Sequence, residues 1–322
     1  NVGTEISLDY PFSFGGGIMN FDSKAIVRNT KVINNYGHFG GGIANLDSDV
    51  SLINNWYHGN SAISGAGVVN DGSGTDIMGG DFQLNVSTKG GSAVANYGAP
   101  AANITNVSIS GGKTTSSGGA IFNQSSSPNI KNSVIWGNSY GIYNEPASST
   151  VVASNPQITY SIVQDLTTGA RTLNLNVDPK FVSQPAVGRT TYGNLALQSC
   201  SPALNVGDPA LTSSQTGSKD LAQQNRVYGS AIDIGAYELQ SPPFEVNTTA
   251  SPGSTVASGT PVTITASGAS SYSWSTGETT ASITVTPSAT TTYTVTGTTG
   301  GCSDVVSAII TVGALPVELI SF

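Results

Sequence analysis

Charge is scarce in this chain: only 9% of its 322 residues are Asp, Glu, Lys or Arg, and the balance is −8. A surface of that sign is a poor partner for nucleic acid or an anionic membrane. No apolar run approaches the roughly 18 residues of a transmembrane helix, so no membrane span is expected. There is no initiator methionine and no signal peptide is visible. The chain is therefore read as a trimmed or mature piece, with coils or a cap upstream of Asn1. Two cysteines, Cys200 and Cys302, form no CxxC or Cys/His spacing for zinc, and a bridge between them is left open. The two histidines, His38 and His58, fall at different places in the repeat described below, so no shared metal site or catalytic pair follows and both read as surface polarity. No GxSxG elbow is present.

What is plentiful is glycine, with 39 copies, and a 38% apolar fraction that recurs with a period. Small residues followed by an apolar residue, one more residue and Asn recur as GGGIMN, GGGIAN, GAGVVN, GSAVAN, GGAIFN and YGIYN. Their asparagines are Asn20, Asn45, Asn70, Asn96, Asn123 and Asn144, at intervals of 25, 25, 26, 27 and 21. A second column, Val27, Leu52, Ile77, Ile104, Ile130 and Ile158, keeps the same period, as does a third, Val32, Tyr57, Phe82, Ile109, Ile135 and Val163. The second and third columns lie five residues apart, which in a flat strand would put them on opposite faces. Both are apolar, so the chain must turn between them. Asn29, Asn54, Gly79, Asn106 and Asn132 supply left-handed turn residues, with Tyr160 breaking the series. Stacked asparagines also bond amide to amide along the axis. The expected fold is all-β: a right-handed parallel β-helix, or solenoid, with about 25 residues per coil.

The organisation read from this is 1–165 repeats, 166–240 a closing region, 241–245 a linker, 246–313 a small β-sandwich and 314–322 the opening of a further domain. In 166–240 the runs Asp178-Pro179-Lys180-Phe181, Ser201-Pro202-Ala203-Leu204-Asn205 and Asp233-Ile234-Gly235-Ala236-Tyr237-Glu238 resemble the choice-of-anchor Q region that closes right-handed β-helices in bacterial surface proteins. Asp220 to Arg226 matches its usual turn, with Gln223 where Gly is common. Residues 246–313 alternate polar and apolar over short runs (VTITAS, SYSWS, ASITVTP, TTYTVTG, VVSAIITV) and resemble immunoglobulin-like modules, with Trp274 as core aromatic. Leu315–Phe322, LPVELISF, is similar to the start of a type IX secretion sorting domain. The repeat is similar to the GGAI/FxxN repeats of chlamydial polymorphic outer-membrane proteins. These resemblances imply export to the surface of a Gram-negative bacterium and contact of the C-terminal region with the type IX secretion machinery.

Candidate sites are few. Lys31, Trp56 and Asp81 share an outward column and form a sugar-stacking patch or solvated side chains. Arg28 and Lys131 share another, four coils apart, too far for joint chemistry. Trp136, Tyr140 and Tyr143 are further aromatics suited to touching a partner. Asp22, Asp47, Asp49, Asp71 and Asp76 follow the asparagine ladder as turn formers or as oxygen ligands for calcium. Calcium is the one cofactor considered. The reading is a non-enzymatic adhesin or glycan-binding stalk on the cell surface. The alternatives are a polysaccharide lyase or glycoside hydrolase with catalytic coils upstream, and a component of the secretion or gliding machinery.

Overall fold

The computed structural model describes residues 13–98, 102–166, 173–212 and 216–313. The Leu315–Phe322 segment lies outside them. The chain divides into two compact units, Asn1–Pro242 and Pro243–Phe322.

The first unit is a parallel β-solenoid of about six turns. One sheet stacks Ile18–Phe21, Ile43–Leu46, Val68–Asp71, Gly90–Tyr97, Gly118–Gln124 and Ile142–Asn144 in register, with Asn20 beside Asn45, Asn70, Asn96, Asn123 and Asn144. A second, bent sheet stacks Ser51–His58, Asp76–Gln83 and Asn103–Ser110. It continues at either end as paired short strands, such as Ile26–Arg28 with Lys31–Ile33. A third, shorter sheet holds Tyr36–Phe39, Ser61–Ser64, Val86–Ser87 and Lys113–Thr114.

The bend has a local cause. Asn29, Asn54, Gly79, Asn106, Asn132 and Tyr160 all have φ between 48° and 65°. Tyr160 departs from the series in side chain but not in backbone. Two more corners repeat the device, at Asn34, Gly59, Leu84, Gly111 and Gly137, and at Asp22, Asp47, Gly72, Gly98 and Ser125. Each corner turns the next side chain inward, so both arms of the bent sheet bury an apolar column: Leu52, Ile77, Ile104 and Ile130 on one, Tyr57, Phe82, Ile109 and Ile135 on the other. Tyr57 and Phe82 stack with centroids 4.3 Å apart.

Polar side chains inside the coil are satisfied along the axis. Asn20 donates to Asn45, Asn45 to Asn70, Asn70 to Asn96, Asn96 to Asn123 and Asn123 to Asn144, at 2.8–2.9 Å. A second ladder runs Asn35 to Asn60 to Asn85 at 3.0 and 3.1 Å. Such pairing is required, because an unmatched buried amide carries its full desolvation cost.

The described parts of 173–240 depart from a simple end cap. Leu175 does bridge the last winding at Ile162. From there the segment runs back along the outside of the bent sheet as a strap. Asn132 accepts from the Asp208 N–H and donates to the Asp233 carbonyl, and Ser108 accepts from the Ala236 N–H. Gly193 N–H donates to Gln83, and the Tyr192 hydroxyl reaches Asn34 of the first winding at 3.2 Å. Phe181, Leu195, Leu197, Leu204 and Ile234 pack on Val134 and Ile162, which point outward from the solenoid. The strap thus stabilises the fold by removing apolar surface from water.

The second unit has a three-stranded antiparallel sheet, Asn247–Ser251, Val262–Ser267 and Ser282–Val285. A four-stranded sheet is ordered Thr255–Val256, Cys302–Val312, Thr291–Thr299, Ser271–Trp274. The alternation of Val262, Ile264 and Ala266 puts one face of its strand into a core shared with Val295, Ile310 and Trp274. The Trp274 indole N–H is satisfied by the Thr280 carbonyl at 2.8 Å.

Candidate functional site

Lys31, Trp56 and Asp81 are register neighbours on successive windings, and the column continues through Ser108, Val134 and Ile162. Its environment changes along the axis. Lys31 is exposed and Trp56 half-buried, with the Lys31 ammonium 5.8 Å from the indole centroid. Asp81 is 1% exposed, against the expectation of a solvated outer face. The strap covers it. The Tyr237 hydroxyl donates to Asp81 Oδ2 at 2.6 Å, Gln83 donates to the same oxygen at 3.1 Å, and His58 Nε2 lies 3.1 Å from Oδ1.

His58 is likewise buried, not surface polarity, with the Tyr192 ring 4.9 Å from its own. Burial, then the adjacent Asp81 carboxylate, pushes the Tyr237 hydroxyl well above the ordinary tyrosine value, and a hydrogen bond from Trp56 opposes this. Tyr237 therefore stays protonated and donates. The cluster is a closed hydrogen-bonded clasp between strap and solenoid.

The remaining aromatics do not form one patch. Trp136 is half-buried, one side of it packed against the apolar cluster under the strap. Tyr143 stacks on Phe122 at 5.9 Å and 7°, on the outer side of the first sheet. Tyr140 is exposed.

The five aspartates separate as well. Asp22 and Asp47 are the left-handed residues of one corner, with φ of 44° and 47°. Asp47 packs against Gly72 and Asp49 against Gly74, where a Cβ would lie 2.4 and 2.9 Å from their carboxylate oxygens. Asp76 accepts from Asn103 at 2.8 Å. The Asp71 carboxyl is raised above its ordinary value by burial and then by Asp47. Among the described residues no group of three His, Cys, Asp or Glu side chains is arranged to hold a metal ion.

Sequence reasoning did not single out the ionic knot inside the strap. Arg226, 2% exposed, donates to the Gly235 and Ala236 carbonyls at 3.1 and 3.2 Å. Asp220, Asp233 and Glu238 surround it, and each accepts backbone N–H bonds: from Gln224 and Glu238, from Asn205 and Leu239, and from Tyr228 and Asp233, respectively. Burial pushes Glu238 up to about 8 and raises Asp233, while it lowers Arg226. Gln223 takes φ 66°, supplying the left-handed turn for which glycine is the usual residue. These side chains hold loops together, and their lone pairs are spent on backbone.

Among the described residues no helix is long and apolar enough to cross a membrane. No family model, curated protein or solved structure matches this chain.

Proposed function

We propose that this chain is a non-enzymatic, exported cell-surface protein, an adhesin or glycan-binding stalk whose solenoid is the stiff binding body. The observation that carries this reading is the fate of Asp81 and His58. A carboxylate beside an imidazole is the pair that acid–base chemistry would use. Here Tyr237 and Gln83 occupy the carboxylate and the strap seals the pair from substrate. The Lys31–Trp56 pair stays accessible and has the chemistry to bind sugar without cutting it.

In this reading 166–240 is a choice-of-anchor Q-like segment of a right-handed β-helix, and 246–313 an immunoglobulin-like spacer. Residues 314–322 begin a sorting domain for type IX secretion in a Gram-negative bacterium. The sequence motifs support these finer assignments. The test is to incubate the intact chain with a panel of polysaccharides, measuring both retention and product. Retention without new reducing ends or unsaturated sugars is expected; catalytic release of either product would overturn the reading.

A further inference from the structure

The column Lys31–Trp56–Asp81 carries both signs of charge in sequence but only one at the surface. Three side chains surround the Asp81 carboxylate, so its charge is not offered to a ligand. Lys31 is exposed beside Trp56. Arg28, also exposed, lies across the Asn29 corner. Three residues of chain keep its Cα within roughly 10 Å of that of Lys31.

Lys24, Arg28 and Lys31 are three of the chain's eleven Lys and Arg residues, gathered within eight positions of a molecule with net charge −8. Lys24 is offset by exposed Asp22 on its own winding and Asp49 on the next, which leaves Arg28 and Lys31 as the cations of the ledge. Trp56 is half-buried, so part of its ordering cost is already met on folding and less side-chain entropy is lost when a ligand packs on it.

A half-buried aromatic ring with the Lys31 ammonium 5.8 Å from its centroid, a second exposed cation three residues along the chain and its neighbouring carboxylate withdrawn matches a sugar that bears an anionic group. The pyranose C–H face packs on the indole. A carboxylate or sulfate takes charge-assisted bonds from the Arg28 guanidinium and the Lys31 ammonium. We infer that the Arg28–Lys31–Trp56 ledge binds glycans carrying a carboxylate or sulfate. The inference rests on the glycan-binding reading above and narrows it to one charge class.

The test is a glycan array bearing neutral, uronate, sialate and sulfated sugars, probed with the intact chain and with the Arg28→Gln/Lys31→Gln double variant. Both side chains are exposed, so the variant should keep the parent's thermal transition, which is measured alongside. The expected result is signal confined to the acidic glycans, lost about tenfold or more in the variant and weakened by added salt. The uronate, sialate and sulfate arms identify which anion is held. Signal on neutral glycans at equal strength, or acidic signal unchanged in the variant, overturns the inference and leaves the glycan reading standing. No signal on any glycan overturns both.

Discussion

Asn70 is fully buried, yet its side chain is amide donor to Asn96 and acceptor from Asn45. Replacing it by alanine strands both neighbours. Asn70→Ala should destabilise the first unit by about 1–3 kcal/mol, read from denaturant melts, while Asn144→Ala at the exposed end of the ladder should cost less. This ladder was legible because its interval is nearly constant. The Asn35–Asn60–Asn85 ladder was not, because the next winding places Gly112 there and the amide returns only at Asn138.

Glu238 carries a pH signature. Its folded value of about 8 lies above the ordinary 4.5, so the folded state holds the proton more tightly. The stability this contributes is complete below about pH 4.5 and lost as pH rises through about 8. Asp233 is raised too and adds with the same sign. The melting temperature of the first unit should therefore fall on going from pH 6 to pH 9. Glu238→Gln should be less stable overall but show a flatter profile over that range.

The strap is the element that sequence left hidden. Its motifs were readable; its course was not, because a run such as Asp233–Glu238 says nothing about which surface receives it. A signal did exist. The outward column holding Lys31, Trp56 and Asp81 passes through Ser108 to Val134 and Ile162, and outward aliphatics in a solenoid call for a cover. The same cover explains why His58 is buried and Trp136 half-buried. Tyr237→Phe removes one of the donors to buried Asp81 and should cost about 1–3 kcal/mol. Amide exchange should quicken in the described parts of 173–240 while the Ile77 and Ile104 strands stay protected. Uniform loosening of strap and coils together would contradict an element that closes on a preformed solenoid.

At the scale of the whole molecule, the first unit is a stack in which each winding repeats the last. Its period, its corners and its inward columns were written in residue identity, since only Asn, Gly or a tolerated substitute sits cheaply at φ near 50°. The candidate site was legible in part: Lys31 and Trp56 emerged as neighbours, whereas the withdrawal of Asp81 depends on a tyrosine 156 positions away. The claim that everything rests on is in-register stacking along one axis. Ile26, Asn103 and Gln157 occupy one outward column, three and then two windings apart. Spin labels on p-acetylphenylalanine at these positions, measured pairwise by double electron–electron resonance, should give backbone separations near 14 Å for Ile26–Asn103 and 24 Å for Ile26–Gln157 at about 4.8 Å per winding. Separations that fail to grow with the number of windings between the labels would contradict the solenoid, and with it the ledge and the strap.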